Sequence, residues 1–210
     1  MEERIVKPTV EGLRAENITY KGFIFIGLMN VDGDPYVIEY NVRMGDPETE
    51  VVMPRIDSDI IDLFEGIVYD TLKEKELKVS PKTAVTVMTV SGGYPGDYEK
   101  GKVIEGLQGV GGRSILFHAG TAQNGGDTVT SGGRVISVTS LGDSIEEAAA
   151  KSYDTVKSFS FEGMNYRSDI GKDLMSSAGP VKKTTKSAPR KSAAAKTVKG
   201  TSARGKKKTE

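Results

Sequence analysis

The sequence predicts an α+β protein with a first unit of helix, two strands and helix, a second small unit of mixed strands closed by one packed helix, and a disordered basic tail. Three observations carry this. Two apolar runs, Gly22–Met29 and Pro35–Asn41, flank the turn-forming Asp32-Gly33-Asp34, the pattern of a β-hairpin. Val85, Val87 and Met88 alternate with threonines over Thr83–Val90, a second alternating run follows at Arg134–Ser140, and Ser144-Ile-Glu-Glu147 then opens a helix as a capping box. From Ser176 onward there is no aromatic residue and no large aliphatic one beyond Val181 and Val198, so the segment cannot bury enough apolar area to offset its ordering entropy.

At 210 residues the chain is long enough for one full domain or two small ones. It has no Cys and a single His, His118, which excludes a disulfide scaffold, a thiolate metal site, a cysteine nucleophile and a polyhistidine cage. No run approaches the roughly 18 consecutive apolar residues of a membrane-spanning helix, and MEERIVKPTVEG contains no apolar signal core. The expectation is a cytoplasmic protein with no membrane partner. The formal net charge of zero conceals an asymmetry: Lys182–Glu210 holds 11 basic residues against one acidic, a net +10, which leaves the rest of the chain at −10. An acidic body carries a basic tail.

The elements follow in order. Glu2–Asn17 reads as a helix with Ile5, Val6, Val10 and Leu13 on one side and Pro8 in its first half. Because it opens at the first residue with no preceding strand, something upstream is expected to be missing. Gly22–Met29 has the length and continuity of a buried strand, and Pro35–Asn41 is its partner. Strict alternation in the second strand puts Tyr36, Ile38 and Tyr40 on one face and Val37, Glu39 and Asn41 on the other. After a loop, Ser58–Leu72 is an amphipathic helix with Asp57 or Ser58 as its cap. The charged connector Lys73–Lys78 marks a domain boundary near residue 75. Beyond it come a strand at Thr83–Val90, a glycine-rich turn at Ser91–Asp97, short strands at Val103–Leu107 and Arg113–His118, turns at Gly125-Gly126 and Gly132-Gly133, the strand Arg134–Ser140, and a helix to about Phe159 with Ile145, Ala148, Ala149 and Val156 inward.

One cluster stands out for chemistry: Glu39-Tyr-Asn-Val-Arg-Met-Gly-Asp-Pro-Glu-Thr-Glu50. Glu39 and Asn41 are oxygen donors one pleat repeat apart on one face. That suits Mg²⁺, which takes one or two protein oxygens and fills its remaining positions from phosphate and water. Arg43 offers a planar fork for phosphate or carboxylate, and Gly45-Asp46-Pro47 makes the turn that holds these side chains. An ordinary polar strand end with salt bridges is the competing reading of the same residues.

The string Arg43-Met-Gly-Asp-Pro-Glu-Thr-Glu50 resembles the signature of the glycinamide ribonucleotide synthetase (phosphoribosylamine–glycine ligase) family of ATP-grasp enzymes. The likeness extends over about 170 residues through Tyr20-Lys-Gly-Phe23, Gly27-Leu-Met29, Gly92-Gly-Tyr-Pro-Gly-Asp-Tyr98, Phe117-His-Ala-Gly-Thr121, Gly132-Gly-Arg-Val135 and Arg167-Ser-Asp-Ile-Gly171, in order. The resemblance implies that residues 1–75 are the terminal part of an ATP-grasp domain, 76–175 the small C-terminal domain of the family, and 176–210 an added tail. It implies an ATP-dependent ligase that joins glycine to 5-phosphoribosylamine through a glycyl phosphate, with Glu39 and Asn41 as ligands for Mg²⁺ or Mn²⁺ facing ATP, Arg43 beside the nucleotide, and Arg43 and Asp46 near the acyl phosphate and the ribonucleotide.

Two departures qualify it. Glu50 stands where the family commonly has Gln, and Phe23–Met29 carries no acidic residue, so only two protein ligands are assigned. The family's proteins are also roughly twice as long as this body. The chain is expected to hold a metal-ligand half-site without a complete nucleotide pocket, to be inactive alone, and to have the missing N-terminal half as a partner. A gene fragment, a truncated chain and one piece of a split enzyme all fit, as does a non-catalytic ATP-grasp remnant with a nucleic-acid-binding tail. Among the remaining candidates, His118 reads as a structural hydrogen-bonding residue, Ser91–Gly96 as a tight turn without the Gly-Lys-Ser/Thr ending of a phosphate loop, and Asp57 and Asp59 as helix-start residues.

The tail reads either as a solubilising segment or as a weak, sequence-blind polyanion binder. If it binds phosphates, affinity for duplex DNA falls steeply between low and physiological salt, because each neutralised phosphate releases counterions. Titration of the intact chain and of a chain ending at Met175 at two salt concentrations checks this. Salt-insensitive binding that survives truncation would place the nucleic-acid surface in the body instead.

Overall fold

The computed structural model describes residues 1–110, 112 and 114–176; the tail expected from Ser176 onward lies, apart from Ser176 itself, outside them. The chain opens with a π-helical turn, Glu2–Val6, that runs into helix α1, Lys7–Ala15. Pro8 sits at the start of α1, where a missing N–H costs nothing. The helix stops short of Asn17 because Asn17 takes a left-handed conformation (φ 56°). The Asn17 N–H then donates to Arg14 O (3.1 Å) and the Ile18 N–H to Leu13 O (2.9 Å), a Schellman closure.

Strands β1, Phe25–Val31, and β2, Asp34–Asn41, form a two-stranded antiparallel sheet. Asp32 and Gly33 at the turn both have positive φ (54° and 91°), the geometry whose twist matches the strands. Arg4 pairs with Asp34 (2.6 Å), and Thr9 Oγ1 meets the Tyr40 hydroxyl (2.9 Å), tying the first helix to the hairpin. The face assignment of β2 requires one correction. A bulge makes Gly27 oppose Glu39 but Leu28 oppose Val37, leaving Ile38 as the extra residue. Directly opposed residues share a face, so Phe25, Gly27, Glu39 and Asn41 lie together with Met29 and Tyr36, while Val37 is turned to the other side.

Helix α2, Thr49–Val52, and a following 3-10 turn, Met53–Arg55, lead to helix α3, Ile60–Val68. The cap of α3 is Asp59, not Asp57 or Ser58: its side chain accepts from Ile61 N (2.8 Å) and Asp62 N (3.4 Å). Ser58 is committed elsewhere, donating to Glu76 O and accepting from Lys78 N, both at 2.7 Å. The helix ends at Val68, before the expected Leu72, because Asp70 turns left-handed (φ 60°) and the Thr71 N–H closes onto Gly66 O (2.9 Å). Residues 55–58 then run antiparallel to 78–80, through Ser80 N to Arg55 O (2.7 Å) and Asp57 N to Lys78 O (2.9 Å).

The second half is built on a three-stranded antiparallel sheet of order β3-β7-β4, with β3 at Thr83–Val90, β4 at Ile115–His118 and β7 at Arg134–Gly142. A separate hairpin, β5 (Thr121–Asn124) and β6 (Asp127–Thr130), turns at Gly125-Gly126. Sequence reasoning found that turn but not the two short strands beside it. The strand expected at Val103–Leu107 is reduced to two bridges, Val103 with Val129 and Glu105 with Ser160. Gly106 (φ 86°) turns the chain out of extended geometry there, and its Cα lies so close to Ser158 O that no side chain would fit. Helix α4, Ile145–Val156, crosses the sheet; a short helix α5, Lys172–Ser176, follows. Ala148, Ala149 and Ser152 are buried on the side facing Val85, and Ser152 Oγ donates to Val85 O (2.9 Å). The main core gathers Val87, Ile104, Val135, Ile136, Val138, Val156, Phe159 and Phe161.

Two outcomes follow from this packing. Ile136 on the central strand is fully buried, so Ile136→Ala should cost about 2–5 kcal/mol in urea unfolding of the chain, and a loss below about 1 kcal/mol would contradict its place in the core. At the start of α4, Ser144 Oγ accepts from Glu147 N (3.2 Å), and the Glu147 carboxylate accepts from Asp143 N (2.7 Å) and pairs with Lys151 (2.7 Å). The Lys151 hydrogen bond first, then the Asp143 N–H, hold the Glu147 pKa below its ordinary value. A lowered folded pKa gives stability that is present above the unfolded value and lost as pH falls through the folded one. Acidification below about pH 4.5 should therefore lower the thermal midpoint of the native chain more than that of Glu147→Gln; parallel acid limbs would refute it.

Candidate active site

The end of β2 and the turn behind it form an open cleft of about 520 Å³, lined by Phe25, Glu39, Asn41, Arg43, Met44, Gly45, Asp46, Glu48 and Arg134. All four sequence-derived site residues, Glu39, Asn41, Arg43 and Asp46, therefore meet in one place. Gly27 clears the floor: a Cβ there would come within 3.0 Å of Glu39 Cγ. The Glu39 side chain thus lies across the glycine opposite it.

Glu39 is exposed and Asn41 half-buried. The Asn41 amide nitrogen donates to Glu39 Oε1 (3.1 Å), which leaves the second carboxylate oxygen and the amide oxygen as adjacent hard donors. No group of three or more His, Cys, Asp or Glu that could hold a metal occurs among the described residues. The donor set fits a cation that draws most of its shell from water and phosphate, as Mg²⁺ does. The exposed Arg43 donates from Nη1 to its neighbour's carbonyl, Met44 O, at 3.3 Å, and so lines the cleft with its charge uncompensated by that contact.

The turn from Gly45 is set by backbone bonds. Thr49 N and Thr49 Oγ1 both reach Gly45 O (3.0 and 2.5 Å), Glu50 N reaches Pro47 O (3.2 Å), and Val51 N and Val52 N reach Glu48 O (3.1 and 3.0 Å). The Asp46–Pro47 bond is cis. A Cβ on Gly45 would meet the Glu48 carboxylate, the end of an exposed side chain that would have to move aside. Thus α2 starts directly from the signature turn, and the turn is braced from behind by the helix it starts.

One charged lining residue comes from outside the 39–50 cluster and was not picked out as a site residue from sequence. Arg134, at the first position of β7, pairs through Nη2 with Asp46 Oδ2 (2.8 Å) and through Nη1 with Asp46 O (3.4 Å). Gly132-Gly-Arg-Val135 is part of the family likeness, but nothing in the spacing indicates a contact 88 residues away. The other candidates lie apart from the cleft lining. His118 is exposed, with Nδ1 3.0 Å from Thr121 Oγ1. Ser91–Gly96 is a turn closed by Tyr94 N to Ser91 O (3.1 Å) and Gly96 N to Gly93 O (2.8 Å). Among the described residues no helix is long and apolar enough to cross a membrane.

Comparison with known proteins matches this arrangement. Residues 1–49 match the ATP-grasp (A) domain of phosphoribosylglycinamide synthetase and residues 84–173 its C domain. The chain is 45% identical over 172 residues to a phosphoribosylamine–glycine ligase of Vibrio parahaemolyticus and 44% identical over 170 residues to that of Caldanaerobacter subterraneus, covering 80% and 81% of this chain and 40% of each relative. The solved phosphoribosylamine–glycine ligase of Thermotoga maritima superposes with a TM-score of 0.64 at 38% identity, over 77% of this chain and 40% of that one. A biotin carboxylase subunit of pyruvate carboxylase shares the fold alone, with a TM-score of 0.52 at 17% identity over 79% of this chain and 37% of that one. The chain thus spans about 40% of the length of the curated relatives it matches. Its two matched segments, in order and on either side of the cleft, show that it belongs to the phosphoribosylglycinamide synthetase family.

Proposed function

We propose that these residues supply one side of the active site of a phosphoribosylamine–glycine ligase: the enzyme uses ATP to join glycine to 5-phosphoribosylamine and forms glycinamide ribonucleotide for purine synthesis in the cytoplasm. In this reading residues 1–75 belong to the ATP-grasp domain and 76–175 form the C-terminal domain. The observation that carries the proposal is the convergence of Glu39, Asn41, Arg43 and Asp46 on one cleft in a chain of this family.

The reaction has two steps. A glycine carboxylate oxygen attacks the terminal phosphorus of ATP and expels ADP, leaving glycyl phosphate. The amine of 5-phosphoribosylamine then attacks the acyl carbon, inorganic phosphate leaves, and the new amide nitrogen loses a proton. Glu39 and Asn41 would hold Mg²⁺ or Mn²⁺, and the ion would neutralise charge on the phosphoryl group in transfer. Arg43 presents a two-pronged donor that can orient a carboxylate or a phosphate. Asp46, fixed on its turn, lines the same cleft and in this reading lies near the acyl phosphate and the ribonucleotide. Bringing two reactants together in a fixed geometry accounts for much of such a rate enhancement.

Because Glu39 is exposed and Asn41 only half-buried, replacing them removes little packing. Glu39→Ala or Asn41→Ala in the complete ligase should lower ADP release with glycine and 5-phosphoribosylamine on the order of 10²-fold or more, while the thermal midpoint stays near that of the native protein. Full turnover in Glu39→Ala at saturating Mg²⁺ would defeat the assignment.

A further inference from the structure

The three glycine motifs of the second half have no role in the proposed chemistry, yet they converge on Arg134. We infer that Arg134 is a positioning residue of the cleft, held by a glycine cradle and holding Asp46 with its signature turn in place. The inference rests on the functional reading above for what the turn does, and on geometry alone for what holds it.

The cradle is assembled from three separate stretches. Buried Ser91 donates from N to Gly133 O (2.8 Å) and from Oγ to Gly132 O (2.9 Å). Gly120 O accepts from Ser131 N (2.8 Å) and Gly132 N (3.2 Å). Both Ala119 N and Gly120 N donate to Val135 O, at 3.0 and 3.1 Å. The two residues before Arg134 and the one after it are therefore bound through their main chains. Glycine is required for this closeness. A Cβ on Gly120 would run into Arg134 O and come within 2.7 Å of Gly132 Cα, and one on Gly133 would enter the Tyr94 ring. Tyr94 is itself set edge-on against Tyr98, with ring centroids 6.2 Å apart.

From this fixed root the guanidinium grips one residue twice, by carboxylate and by main-chain oxygen. The planar fork of an arginine fixes both contacts in one geometry; a lysine ammonium has three rotatable donors but no fixed fork. Asp46 is the second residue of the turn whose other bonds, through Thr49 to Val52, start α2. Arg134 thereby ties the position of the turn to the central strand of the second half. It acts on the chemistry through Asp46.

Two measurements test this. In the 210-residue chain, Arg134→Met should speed amide hydrogen exchange at Thr49 to Val52 about threefold, the scale of losing a half-exposed ion pair, with the amides of β3 and β7 unchanged. In the complete ligase the same substitution should lower kcat with little change in KM for ATP, and Arg134→Lys should restore part of kcat by keeping the charge. Exchange at Thr49–Val52 equal to that of the native chain overturns the positioning role, as does an unchanged kcat in Arg134→Met. If the native ligase releases no ADP with glycine and 5-phosphoribosylamine, the functional reading fails, and the exchange experiment still decides whether Arg134 holds the turn.

Discussion

The central strand β7 is buried on both faces, and the rest of the second half follows from satisfying it. Ile136 and Val138 take one face, opposite Thr89 and Val87, and α4 covers that side with small residues that let helix and sheet approach closely. Ser137 and Thr139 take the other face and are as buried as the valines. A buried hydroxyl without a partner is costly, so these pair among themselves: Thr139 Oγ1 with Thr86 Oγ1, and Thr86 Oγ1 with Ser137 Oγ, both at 2.9 Å. Ser114 Oγ links Ser140 and Thr155 hydroxyls at 2.7 Å each. At the bulge near the end of β3, Thr89 Oγ1 both donates to Ile136 O (2.8 Å) and accepts from Ile136 N (3.2 Å), filling the break in the ladder. Such a core tolerates only one register, because a slip of one residue would strand every hydroxyl.

That single register reaches the cleft. β7 begins at Arg134, so whatever fixes the strand fixes the guanidinium. The first half contributes the remaining lining residues by a different device. Its hairpin is largely exposed on both faces, and the bulge at Ile38 is what turns Glu39 and Asn41 to the same side as Phe25 and the cleft. The cleft therefore combines a rigidly rooted arginine with oxygen donors placed by a local irregularity, a common location for bulges beside functional sites.

Much of this was legible in the sequence where the signal is local. The Asp32-Gly33 turn, the bounds of the Thr83–Val90 strand and the Ser144–Glu147 cap rest on residues within a few positions of each other, and the structure has them where the pattern puts them. The helix ends were overextended because Asn17 and Asp70 adopt a conformation more usual for glycine, which no periodicity reveals. The face of Val37 was misassigned because a bulge resets the alternation without changing composition. The cleft residues Glu39 to Asp46 are contiguous enough to be read as a cluster. Arg134 is not, since its contact with Asp46 depends on the packing of two strands and a helix that only the folded chain supplies.

The charges in the cleft give a reason for such a contact. Glu39, Asp46 and Glu48 are three carboxylates against Arg43 and Arg134. A polyphosphate entering a space so lined meets net negative charge, and repulsion between charges a few ångströms apart is appreciable even near a protein surface. Pairing Asp46 with Arg134 leaves that net charge unchanged, but it holds the Asp46 carboxylate on its own counter-ion and leaves Arg43 available to an anionic ligand. On the proposed function, Glu39 with Asn41 beside it is where a divalent cation would convert repulsion into attraction. In that reading the arginine rooted in the glycine cradle holds one carboxylate of the cleft, and the oxygen pair on the bulged strand would hold the cation that draws a polyphosphate in.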